Sequence, residues 1–188
     1  RVSDENRASR RQMQTQLADE KRLARLVAEI SRVLAACPGA GYARVEKVPE
    51  LGSLAGPFSA QRGKLRLPVR GELVGRFGAQ RNEGPSGKTG VFIRAPEGQA
   101  VRAVAAGQVV YADWMRGFGN LLIIDHGGYM SLYAHNEQLF KAAGDRVEGG
   151  EVVATVGDSG GRNEPGLYLE IRRGARPVDP VPWFRRAA

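Results

Sequence analysis

A chain of 188 residues, 42% of them hydrophobic and 25 of them glycine, can bury one good core, and ordinary domain size makes it one domain plus an appendage. A formal net charge of +8 and a pI near 10.1 suit an acidic partner or a polyanion. The basic residues are scattered and the aromatics few, and pairs such as Arg172-Arg173 and Arg185-Arg186 are too short for a nucleic-acid patch, so nucleic acid is excluded as the partner. No apolar stretch reaches the length of a membrane span, and the single cysteine, Cys37, cannot form an internal disulfide.

Residues 1–36 form the first segment. Leu23, Leu26, Val27, Ile30, Val33 and Leu34 recur at the three-and-four spacing of an amphipathic helix, which Cys37-Pro38-Gly39 stops. Before Leu23 only Met13 and Leu17 continue the stripe, so residues 1–12 are expected to fray. The helix reads as one end of a coiled-coil region, although no heptad pattern is sustained here. Because the chain opens on Arg1 rather than Met, it is expected to be a piece of a longer protein, and export cannot be judged from this end.

Residues 37–63 carry scattered Gly, Pro and Ser and read as a linker or regulatory arm, with short helical turns expected at 49–54 and 57–61. Residues 64–188 change to a β pattern. Segments 107–112, 121–126, 130–134, 151–156 and 167–172 are short, apolar and punctuated by glycines, with Gly127-Gly128 placed as a hairpin turn. Strands at this spacing predict a mainly β fold, an antiparallel sandwich or hybrid barrel. Its core is expected from Val91, Ile93, Val104, Val109, Leu122, Ile124, Leu132, Val153, Val156, Leu167, Leu169 and Ile171.

Three blocks carry the functional signal: residues 87–96 (Gly-Lys-Thr-Gly-Val-Phe-Ile-Arg-Ala-Pro), Tyr133-Ala134-His135, and residues 166–171 (Gly-Leu-Tyr-Leu-Glu-Ile). Between them stand Gly117-Phe118-Gly119-Asn120 and Val156-Gly157-Asp158-Ser159-Gly160-Gly161. In order and spacing this frame resembles the LytM, or lysostaphin-like, zinc peptidases. Active members read His-x-Gly-x-Asp in the first block and His-x-His in the last. Here those ligand positions are Lys88, Phe92 and Tyr168, and Gly166 takes the place of a further histidine. A hydrolytic zinc needs imidazole nitrogens and a carboxylate around an open position, so the resemblance implies no metal, no cofactor and no catalytic residue. His135 alone survives of the two proton-handling histidines.

Residues 112–114, 130–133 and the ending 167–183 resemble most the degenerate EnvC-type murein hydrolase activators. That resemblance implies a noncatalytic, periplasmic protein that binds and switches on N-acetylmuramoyl-L-alanine amidases during septal splitting of peptidoglycan. It further implies contact with peptidoglycan itself, and with an upstream division-complex membrane protein through the coiled-coil region. A passive wall-binding or divisome scaffold is the alternative, and a zinc endopeptidase with an unfamiliar ligand set a more distant one. By family position the partner-binding groove is Lys88, Phe92, Phe118, His135, Tyr168 and Arg172.

Period two along 167–172 places Leu167, Leu169 and Ile171 in the core and Tyr168, Glu170 and Arg172 on the opposite face. Aromatics and arginine there are residue types common at binding hot spots, and an amphipathic helix of the amidase is expected to lie on them. As the alternative to contact residues, Phe92 and Tyr168 suit a plug filling the vacated metal site, Arg172 a solvated strand position and His135 a structural survivor. Phe118, between two glycines, is expected to be exposed, and His126 to make a structural hydrogen bond. Residues 17–62 are expected to lie across the groove until an upstream signal moves them, so that deleting 1–62 raises stimulation.

Overall fold

The computed structural model describes residues 2–36, 57–74, 77–78 and 89–185; Lys88 and the helical turn expected at 49–54 lie outside them. Helix α1 runs Val2–Ala36 without a break, so the segment expected to fray is helical. Asp4 and Glu5 in its first turn oppose the positive end of the helix dipole. The stripe read from the sequence is largely the packed one, with Leu23 and Val27 buried and Leu26 and Ile30 half-buried. Val33 is the departure: it is 56% exposed, pointing away from the packed face.

Among the described residues, ten strands form one hydrogen-bonded sheet: β1 Glu72–Val74, β2 Val91–Arg94, β3 Ala100–Arg102, β4 Gly107–Met115, β5 Gly119–Asp125, β6 Tyr129–Leu139, β7 Arg146–Val147, β8 Val152–Val156, β9 Gly166–Arg173 and β10 Arg176–Val178. All of the pairings are antiparallel, in the order β1-β2-β9-β6-β5-β4-β7, with β10 on β9 and β8 joining β6 to β3. The five strands expected from the sequence are β4, β5, β6, β8 and β9. Strand β6 pairs with β5 on one edge and shares its other edge between two neighbours, β9 along Tyr129–Ala134 and β8 along Asn136–Leu139. The change of partner falls at His135, whose φ of 65° is a left-handed value uncommon outside glycine.

One face of the sheet holds the main core. Val91, Ile93, Val104, Val109, Leu122, Ile124, Val153, Val156, Leu167, Leu169 and Ile171 all belong to it. Leu132 is buried on the other face, in a second cluster with α1. Strand alternation accounts for the split, since Leu132 faces Ile123 and Glu170 across the ladders rather than the Leu167 side.

The packed unit also reaches back before residue 64. Phe58, in a 3₁₀ turn at Phe58–Gln61, stacks on His126 and Trp183, each at 4.7 Å between ring centroids, and on Tyr129 at 5.1 Å. Deleting residues 1–62 therefore removes a core aromatic along with the helix. Phe58→Ala should cost about 3–5 kcal/mol, measured by urea unfolding of the full chain; a loss under about 1 kcal/mol would mean that the stack closes over the gap.

Candidate functional site

The second face of the sheet carries the described positions expected to form the groove. Antiparallel register brings Phe92 of β2 opposite Tyr168 of β9, and Tyr168 opposite Ala134 of β6. Glu170 and Arg172 follow along β9 beside Leu132 and Met130, and Ile123 and Leu121 extend the surface on β5. Met115, Phe118, Leu121, Ile123, Met130, Leu132 and Ala134 thus make an apolar platform, and Leu23 and Val27 of α1 are buried against it. The helix covers this face.

The residues at the family's ligand positions do not fit a zinc ion. Phe92 and Tyr168 stand where an aspartate and a histidine would be needed. A Cβ added at Gly166 would come 2.3 Å from the Phe92 ring and 2.7 Å from the Ile93 carbonyl. The phenylalanine ring therefore occupies the space that a larger side chain at 166 requires, and the two replacements depend on each other. Such a donor set offers a zinc ion neither the imidazole nor the carboxylate that hydrolytic chemistry requires.

A buried polar network occupies the adjacent floor. Glu170 is fully buried; its Oε1 accepts from Thr89 Oγ1 and from Tyr168 Oη, each at 2.6 Å, and its Oε2 from Arg172 Nε at 2.9 Å. Burial first, then the Glu170 charge, push the Tyr168 phenol well above its usual range, so it remains a hydrogen-bond donor. Arg172 also donates to the Ala175 carbonyl at 3.0 Å and is only 4% exposed. It shares the groove face but is committed to this pair. Removing one partner of such a buried pair costs about 3–5 kcal/mol, so a loss of binding in an Arg172 variant would carry a loss of stability with it.

His135 and Phe118 meet at the other end. The His135 N–H donates to the Phe118 carbonyl at 2.7 Å, and its Nδ1 donates to the Ser159 carbonyl at 2.7 Å. Phe118 packs on Tyr168 at 6.1 Å and is buried. Its expected exposure is thus reversed, because α1 lies over the loop that carries it. Gly117 permits this approach: a Cβ there would meet Asp19 Oδ2 of the helix at 2.4 Å. Phe92 carries the guanidinium of Arg162 at 3.9 Å from its ring centroid, a contact that family position did not indicate. Beneath α1 a cavity of about 590 Å³ remains, lined by Gln12, Gln16, Asp19 and Glu20 from the helix and by Phe118, His135, Arg162, Glu164 and Tyr168 from the sheet and its loops.

His126 makes the structural hydrogen bonds expected of it, Nδ1 to the Ala106 carbonyl at 2.8 Å and Nε2 to Ser131 Oγ at 2.7 Å. Burial lowers both histidines from 6.5 to about 4. The unfolded chain therefore takes up these protons near pH 6.5 and the folded chain only near 4. Stability is full above the upper value and falls as pH drops through that window, by about 1.4 kcal/mol per pH unit for each histidine. Urea unfolding at pH 7, 6 and 5 should show this loss, and His126→Gln should remove about half of the slope; an unchanged slope would mean that other groups set it.

Comparison with known proteins bears on the whole frame. The chain is 38% identical over 149 residues to the murein hydrolase activator EnvC of Escherichia coli, covering 79% of this chain and 35% of the relative. It is 41% identical over 97 residues to the murein hydrolase activator NlpD of the same organism, covering 50% of this chain and 25% of that protein. It thus spans about a third or less of these curated relatives. The catalytic domain of lysostaphin from Staphylococcus simulans superposes with a TM-score of 0.55 at 24% identity, covering 60% of this chain and 90% of that domain, which supports the fold. No described helix is long and apolar enough to cross a membrane. Residues 86–180 match the model of peptidase family M23, the interval that holds every groove position from Lys88 to Arg172, and the chain belongs to that family.

Proposed function

We propose that this chain is a noncatalytic activator of peptidoglycan N-acetylmuramoyl-L-alanine amidases, working in the periplasm during septal wall splitting, and that α1 is its built-in inhibitor. One observation carries the reading: the face that holds zinc in a peptidase is here an aromatic and aliphatic platform already covered by an amphipathic helix. A surface that accepts α1 is shaped for another amphipathic helix, and helix-in-groove docking is a general mode of recognition. The names of the EnvC and NlpD relatives agree with it. Lys88, Phe92, Phe118, His135, Tyr168 and Arg172 remain the groove set, with Phe92 and Arg172 acting more through the shape they support than through exposed area.

Competition between the two helices is the mechanism. Burying Leu23 and Val27 stabilises the closed form by about 1.5–3 kcal/mol each, and the tether gives α1 a high effective concentration. An amidase therefore binds weakly until α1 is drawn away, which a pull along the helix would supply. The test is the affinity of a purified, fluorescently labelled amidase for the full chain and for the Leu23→Glu/Val27→Glu chain by anisotropy. Tighter binding to the substituted chain is expected; equal affinity would show that α1 does not compete.

A further inference from the structure

At the polar end of the groove, Arg162 is a cation that feels the Glu164 charge but to which the closed form gives no ion pair among the described residues. Its guanidinium is stacked on Phe92 at 3.9 Å from the ring centroid, and among the described residues no carboxylate lies within ion-pair distance of it. Glu164, two residues on, is engaged by Arg94 at 2.9 Å. Asp19, on the stretch of α1 that crosses the same cavity, pairs with Arg22 of its own helix at 3.4 Å and packs against Gly117. The helix thus brings its carboxylates to this cavity without pairing one with Arg162 among the described residues.

Stacking on an aromatic face holds a guanidinium in one plane and leaves its N–H fork free for a bidentate carboxylate. A ligand that supplies the carboxylate gains a contact α1 does not make, and only such differential contacts shift a competition between two occupants of one site. We infer that Arg162 reads an acidic side chain on the amidase helix that replaces α1, and that this ion pair helps an intermolecular partner displace a tethered one. The inference rests on the activator function proposed above. It specifies the partner: an amphipathic helix that carries an Asp or Glu beyond the aliphatic side chains that fill the Leu23 and Val27 seats, toward the cavity that Arg162 lines.

The test uses the full chain opened by Leu23→Glu/Val27→Glu, with and without Arg162→Ala and Arg162→Glu, against the same labelled amidase. Arg162 is exposed and its stack on Phe92 is a surface contact, so the melting temperature should fall by no more than a few degrees. Affinity should fall about tenfold with Ala and further with Glu, and the weakening of binding between about 50 and 300 mM salt should be shallower in both variants. An Asp or Glu to Arg change on the amidase helix should recover binding to the Arg162→Glu chain. Unchanged affinity and salt slope in both variants would overturn the role of Arg162 and leave the activator function standing; no binding by the opened chain with Arg162 intact would overturn both.

Discussion

Replacing Leu23 and Val27 together with glutamate should raise amidase stimulation by the full chain about ten- to a hundredfold. Both side chains are buried against the platform formed by Met115, Phe118, Leu121, Ile123, Met130, Leu132 and Ala134. Losing that burial removes about 3–6 kcal/mol from the closed form, and a carboxylate without a partner on an apolar surface opposes its return. The shift in the closed-to-open equilibrium is larger than the gain expected in stimulation, because stimulation follows the open fraction and saturates once the open form predominates. Rates of wall release by a fixed amount of amidase, with the two chains compared over a concentration series, measure it. An unchanged rate would mean that the covered face is not the one the amidase needs. Side-chain replacement is cleaner than truncation through residue 62, which also deletes the Phe58 stack.

Tyr168→Ala should lower stimulation more than tenfold while the chain stays folded. The ring lies at the centre of the groove, opposite Phe92 and Ala134 across the two ladders and packed on Phe118, where truncation of an aromatic anchor commonly costs 2 kcal/mol or more of binding. Glu170 keeps Thr89 and Arg172 as partners when the phenol is gone, so its charge remains paired. Tyr168→Phe separates ring from hydroxyl and should retain most of the stimulation. Phe92→Glu should abolish activation as well, but Phe92 is buried beneath Arg162 and fills the space beside Gly166, so that variant loses stability too. Circular dichroism and melting of each variant accompany the activity measurement; full stimulation by folded Tyr168→Ala would remove the groove from the mechanism.

The longer strands were legible in the sequence because four to six residues already show alternation and β-branched enrichment. The short ones, β1, β3, β7 and β10, span too little chain for a period to register. The stripe of α1 was equally plain from Leu23 to Ile30, yet what it packs on was not, since no local pattern shows which sheet face a helix will meet. That missing contact explains one reversal and one division of the core: Phe118 is buried although its flanking glycines suggested a loop tip, and Leu132, buried as expected, belongs to the helix-covered cluster. Phe58 sat in a Gly- and Pro-rich stretch whose composition hid an aromatic anchor. In the groove, family position led to Phe92, Phe118, His135 and Tyr168, which the fold brings together around one cavity and its floor. Arg162 gave no such signal, being one arginine in a glycine-rich loop until the fold seats it on Phe92.

Release of dye from labelled sacculi tests the central claim most directly, with three tubes: the Leu23→Glu/Val27→Glu chain alone, a purified amidase alone, and the two together. Little release in the single-component tubes and strong release in the mixture is the predicted result, since the chain supplies a surface and the amidase the chemistry. Release by the chain alone would contradict the noncatalytic reading, and a mixture no faster than the amidase alone would contradict activation through the uncovered groove.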